Sequence, residues 1–262
     1  MFKKTKKKLI LALPCRATGV RLYGKPNQYI DIDKKITIVE QLINCIKKIR
    51  CVSDIVIGIP YGNENEIFKK IAKRKSVKFV YGKELDPLGR IIKCGKKTNA
   101  TDILRITSEC PFPYFNLIDK YWKIHKKTLA DATFLEDIIL GCGFEIISLS
   151  SLIKSHRNCK TKKQSEFSTW YIRKNYKKFN INKFSPPKEF HRKDLRLAVD
   201  NPEDLALCRI IYKRFIKDAP MFNLKKIVMF LDKNPQLKNM VKPYVGKGYS
   251  SMYKWGKGIS WG

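Results

Sequence analysis

Three short segments, each directly after an apolar run, carry the residue types that handle phosphate and metal. The first, PCRATGVRLYGKP (14–26), follows LILAL (9–13). Its glycines, Gly19 and Gly24, let backbone N–H groups approach a phosphate, and Arg16, Arg21 and Lys25 supply the countercharge. The second, RITSECP (105–111), continues the run DILRIT and turns acidic at Glu109. The third, VDNPED (199–204), follows LRLAV (195–199) and carries Asp200. Two carboxylates at strand ends of one sheet can converge on a divalent ion, and magnesium favours one or two carboxylates with substrate phosphates. Asp200 before a Pro-led helix is also a helix N-cap, and spacing leaves both readings open. Glu203 and Asp204, in the first turn, complement the helix dipole.

Such loops need strands to aim them. LILAL reads as a buried strand bounded by Lys8 and Pro14. After it, helical spacing over 36–49 alternates with a strand at 54–59, a helix at 65–73 and a strand at 77–80. A helix at 89–97 and the strand 102–107 follow. Helices of this length between strands imply a mostly parallel, doubly wound sheet. Beyond residue 112 the pattern predicts helices at 115–126, from 149, at 164–176, 202–216 and 224–231. Strands are expected at 144–148 and at 195–199, the latter as a core strand. The chain divides into a domain over 1–218 and a helical extension with a Gly/Trp-rich tail over 219–262. The tail, with Trp255 and Trp261, receives no single role from sequence alone: covering the active site, extending an interface and being mobile are all open.

Composition bounds the partners. With 262 residues and 44% hydrophobic content, the chain can bury a sizeable core. No run is long enough to span a membrane, and the apolar stretch after MFKKTKKK is too short for a signal peptide. The eight cysteines form no Cys-x-x-Cys pair, so reduced, buried thiols in the cytoplasm are expected, without zinc or disulfides. Cys110 and Cys142 are read as packing residues. The net charge of +32 is spread along the chain without a nucleic-acid-binding motif, so it equally suits small anions such as nucleoside triphosphates and acidic sugars.

The loop PCRATGVRLYGKP resembles the CTP-binding signature ARxxSxRLPGKxL of the sugar-nucleotide cytidylyltransferases. Five further segments resemble motifs of the spore-coat polysaccharide biosynthesis (SpsF-like) branch, in family order: YGKELDPLGR, LRITSECPF, GCGFEIIS, SEFSTWYIR and RLAVDNPEDLALCRIIY. The resemblance covers about residues 8 to 215. It implies a three-layer α/β/α fold of the nucleotide-diphospho-sugar transferase type. It also implies transfer of CMP from CTP to a sugar acid or related sugar, with magnesium and release of pyrophosphate.

Carried across, Pro14, Arg16, Gly19, Arg21, Gly24, Lys25 and Arg90 would bind the nucleotide, with Lys25, Arg16 and Asp200 catalytic. Glu109 and Asp200 fall at the metal carboxylates, and Asp86, Glu145 and Glu166 at the sugar side. Glu145 is equally readable as a paired structural carboxylate. Family members are commonly homodimers. Gly19 replaces the loop serine, Glu109 a metal aspartate, and Ser165 and Phe167 an Arg and a His. These departures imply an altered acceptor or reduced activity. A degenerate nucleotide-binding or regulatory member, or use of another nucleoside triphosphate, are the alternative expectations.

Overall fold

The structure is a computed structural model that describes residues 6–246 and 254–256; of Lys162 and Lys163 only the backbone is described. The basic start (1–5) and Trp261 lie outside the described residues.

Strand β1 (Leu9–Pro14) is continuously apolar because both of its faces are covered. Leu9, Leu11 and Leu13 enter one core, and Ile10 and Ala12 the other. β1 pairs in parallel with β4 (Val52–Pro60) on one side and with β6 (Asp102–Arg105) on the other. β5 (Lys78–Gly82) extends the sheet beyond β4. Beyond β6, β8 (Glu145–Ser148) runs antiparallel, while β7 (Ala132–Leu135) and β9 (Ile181–Phe184) restore the original direction. The order is β5-β4-β1-β6-β8-β7-β9. A small hairpin, β2 (Tyr29–Asp31) with β3 (Ile36–Thr37), stands apart.

Helices cover both faces. α1 (Ile38–Ile46), α2 (Glu66–Arg74), α4 (Ile118–Lys127), α8 (Pro202–Arg214) and α9 (Leu224–Lys233) bury apolar residues in the larger core. α3 (Pro87–Lys97), α5 (Leu149–Arg157) and α7 (Trp170–Lys174) cover the other face. Val241 of α10 (Pro235–Val241) also joins the larger core, so the extension packs directly on the sheet domain. This is the three-layer, mainly parallel α/β fold expected from the sequence. Among the described residues, no helix is long and apolar enough to cross a membrane.

Two local expectations are corrected, and two strands are added. LRLAV is buried as its composition demands, but it is not a strand of the sheet. It makes one isolated bridge, Leu140 with Arg196. Leu197 N–H donates to the Leu140 carbonyl (2.8 Å) and Val199 N–H to that of Glu109 (3.0 Å). Burial made it look like a strand, whereas its backbone groups are satisfied by two loops. The helix expected over 164–176 is broken into α6 (Lys162–Glu166) and α7. Phe167, Ser168 and Thr169 are all buried, and three successive inward residues do not fit one face of a helix. β7 and β9 were not foreseen, being four residues each and lacking a long apolar run.

Candidate active site

The strand order reverses at β1, and in open α/β sheets ligands bind outside the carboxyl ends of strands at such a reversal. Here a cavity of about 1160 Å³ opens. The loop leaving β1 lines it with Arg16, Arg21 and Lys25, the exit of β6 with Glu109, and the segment before α8 with Asp200.

The loop is held by its own backbone. Gly24 adopts a left-handed conformation (φ 56°), and its N–H donates to the Ala17 carbonyl at 2.6 Å. Ala17 N–H in turn donates to Asn65 Oδ1 at 2.9 Å. A side chain at Gly19 would place Cβ 2.5 Å from the Leu22 carbonyl oxygen. The glycine standing at the family's serine position is therefore required by this loop shape. Pro14 ends β1 and lines the cavity.

Four cations and three carboxylates meet around this loop. Arg21 Nη2 and Lys25 Nζ both reach Asp200 Oδ1, at 3.0 and 2.7 Å. Arg196 binds Asp200 Oδ2 and, through Nε, Asp204 at 2.8 Å. Arg16 reaches Glu166 of α6 at 3.2 Å. The N-cap of α8 is Asn201, and Asp204 accepts the N–H groups of Asp200 (3.0 Å) and Asn201 (2.9 Å). Of the two readings left open for Asp200, capping is carried by its neighbours, and its carboxylate faces the cations. Burial pushes the Asp200 carboxyl up, but Lys25, Arg21 and Arg196 outweigh it and hold the group below its usual range.

Glu109 behaves in the opposite way. Burial first, and then the Asp200 charge, raise its carboxyl above the usual range, with Lys25 only partly offsetting them. Two carboxylates that repel each other, offering oxygen donors only, are a place where a hard cation would be stabilised. Among the described residues no cluster of three or more His, Cys, Asp or Glu forms a cage, so such an ion would need further oxygens from a ligand.

The remaining expected residues are distributed unevenly. Arg90 is 2% exposed and lines the cavity; its Nη1 donates to the Lys83 and Glu84 carbonyls at 2.6 and 2.7 Å. Its Nε has no acceptor among the described residues. Asp86 is not in the cavity lining. It caps α3, accepting Gly89 N–H at 3.0 Å, and is bound by Ser165 and by His156 at 2.8 Å. Glu145 lies in the lining and is paired with both Arg105 (2.8 Å) and Arg173 (3.1 Å).

Sequence reasoning missed Arg105, Arg173, Arg196, Glu136 and Trp255. A signal existed for three: Arg105 and Arg196 are the lone cations inside the apolar runs DILRIT and LRLAV, where a charge needs a partner, and Arg173 closes the family-like segment SEFSTWYIR. Burial pushes the Cys15 thiol up to about 12 and raises Cys110 and Cys142 as well, which disfavours their thiolates near neutral pH.

No family model matches the chain. Over 212 residues it is 31% identical to the uncharacterized protein MJ1063 of Methanocaldococcus jannaschii, covering 81% of this chain and 86% of that protein. It is 23% identical over 183 residues to the spore coat polysaccharide biosynthesis protein SpsF of Bacillus subtilis, covering 70% and 76%. Among solved structures, a cytidylyltransferase from Leptospira borgpetersenii superposes with a TM-score of 0.80 at 21% identity, covering 88% of this chain and 97% of that one. A CMP:2-keto-3-deoxy-manno-octonic acid synthetase complexed with CTP superposes with a TM-score of 0.58 at 10% identity, covering 79% and 99%. The structural likenesses establish the fold.

Proposed function

Because the chain belongs to the sugar-nucleotide cytidylyltransferase family, a family of nucleotidyltransferases, we propose that it transfers CMP from CTP to an acidic sugar and releases pyrophosphate. The observation that carries this reading is the meeting of Arg21 and Lys25 with Asp200, beside Glu109, at the reversal of strand order. These groups come from segments about 180 residues apart in the chain, and their shared chemistry is that of a triphosphate site.

In this reading Arg16, Arg21 and Lys25 bind the triphosphate, and the loop backbone around Gly19 and Gly24 lets it approach closely. Arg90 lies beside the loop with an unused Nε donor. A sugar oxygen attacks the α-phosphate in line, and the cations offset charge that builds on the phosphate oxygens and on departing pyrophosphate. Magnesium fits the oxygen donor set, and Glu109 and Asp200 would be its protein ligands. When bound, it would neutralise phosphate charge and help orient the triphosphate. The Lys25–Asp200 contact has a second consequence: the cation and its carboxylate must separate as phosphate arrives.

Isothermal titration of CTP, UTP, ATP and GTP with magnesium, followed by pyrophosphate release in the presence of sugar acids, tests the proposal. Preferential CTP binding with acceptor-dependent pyrophosphate release is expected. CTP binding without release would move the chain to the degenerate, nucleotide-binding class, and absence of binding by all four nucleotides would refute the site.

A further inference from the structure

The side of the cavity formed by β7 and β8 carries a row of alternating charges that ends in a residue of the C-terminal tail. Glu145, at the start of β8, is bound by Arg105 from the end of β6 and by Arg173 of α7. Arg173 also donates to Glu136, just after β7, at 2.8 Å. The next bond belongs to Trp255, whose indole N–H faces both Glu136 carboxylate oxygens at 3.1 and 3.2 Å. The Arg173 guanidinium lies 4.3 Å from the Phe134 ring centre and 4.7 Å from that of Trp255. Lys183 Nζ is 3.6 Å from the same indole, which meets Phe134 edge-on at 5.3 Å. Arg105, Glu136, Glu145, Arg173 and Trp255 all line the cavity, whereas Phe134 and Lys183 back them from outside the lining.

Position and chemistry both assign this row to the acceptor. The nucleotide loop leaves β1, whereas the row lies across β6, β8 and β7, on the other side of the reversal. The positions where the family motif carries Arg and His hold Ser165 of α6, bonded to Asp86, and Phe167, between α6 and α7, which is 1% exposed. Glu166 and Ser168 keep this segment in the lining, and the charged row supplies further polar contacts for a hydroxyl-rich acceptor. Guanidinium and carboxylate groups tied to their neighbours offer fixed donors and acceptors, and such preorganisation improves affinity.

We propose that Trp255 is a positioning residue for the acceptor. It holds Glu136 through its N–H and Arg173 through its ring, and through them Glu145 and Arg105. This inference rests on the cytidylyl-transfer reading, and it assigns Trp255 an effect on the acceptor and none on CTP.

The test uses the full chain and Trp255→Ala and Trp255→Phe. Pyrophosphate release is followed with CTP and magnesium, varying N-acetylneuraminate or 3-deoxy-manno-octulosonate as probes, and CTP affinity is measured separately by calorimetry. Trp255→Ala is expected to raise the acceptor KM at least about tenfold and leave the CTP Kd within about twofold. Trp255→Phe, which keeps a ring and loses the N–H, should fall between. An unchanged acceptor KM, or equal losses in CTP and acceptor affinity, overturns the inference. A wild-type chain that binds CTP yet neither binds nor turns over either acid also overturns it. A wild-type chain that does not bind CTP defeats the transfer reading instead.

Discussion

Replacing Asp200 with Asn should tighten metal-free CTP binding while abolishing most magnesium-dependent turnover. One carboxylate oxygen, Oδ1, accepts from both Lys25 (2.7 Å) and Arg21 (3.0 Å). The Lys25 and Asp200 side chains are 20% and 21% exposed, so a hydrogen bond between them is worth about 1.5–3 kcal/mol. Arg21 is 59% exposed, and solvent screening leaves its contribution below about 1 kcal/mol. A triphosphate arriving without metal must displace these contacts. Asn keeps the shape and a neutral acceptor oxygen, so about half of the roughly 2–3 kcal/mol is removed. That corresponds to a Kd for CTP lowered about tenfold in EDTA.

With magnesium the sign reverses, because one of two proposed ligands is gone. Turnover should fall about 10²–10³-fold, the scale of removing one preorganised electrostatic contact. Arg196 retains Asp204 at 2.8 Å, so folding should survive, and a melting curve serves as control. Calorimetry in EDTA and a pyrophosphate-release assay read the two effects. Weaker metal-free CTP binding by the variant would refute the claim that Asp200 holds the phosphate cations, and undiminished turnover would refute its metal role.

Three further outcomes are expected. The Glu109 carboxyl is raised by burial and by Asp200, so the folded state binds its proton more readily than the unfolded chain does. That penalises folding once pH rises above the unfolded carboxylate range, and Glu109→Gln should raise the metal-free Tm by about 2–4 °C at pH 8, with no gain at pH 3. His125 is wholly buried, with Nε2 3.0 Å from Asp102 and Nδ1 2.8 Å from Thr133. His125→Ala should therefore cost about 3 kcal/mol in urea unfolding, through a cavity and lost partners. Finally, Arg192 grips Asp232 of α9 and holds its carboxyl at about 2, burial opposing only weakly. A lowered carboxyl stabilises above the unfolded value of about 4 and loses this as pH falls towards 2. Because Asp232 is 43% exposed, Asp232→Asn should lower stability by less than about 1 kcal/mol at pH 7 and by nothing measurable at pH 2.

Much of the β1 end of the cavity was legible in the chain. The apolar run LILAL, with the glycines and cations after it, specified a buried strand and a basic, tightly turned loop. Continuous apolarity reports burial on both faces, and glycine and Arg/Lys placement reports local backbone and charge. The alternation of helices and strands up to residue 107 specified the layered, mainly parallel α/β fold, because parallel neighbours need crossover helices between them. LRLAV shows the limit of that reasoning: its composition reported burial correctly but not its hydrogen-bond partners, which are the loops at Leu140 and Glu109.

The tertiary structure decided what the basic loop after β1 faces. Spacing left Asp200 open between helix cap and metal ligand; in the fold Asn201 and Asp204 take the N-terminal bonds of α8, and the Asp200 carboxylate faces Lys25, 175 positions away. Trp255 likewise reaches Glu136 across 119 positions. Periodicity and local charge carry no record of contacts at such separations. Only the packing of the sheet's two halves brings the loop, the carboxylates and the tail into one cavity.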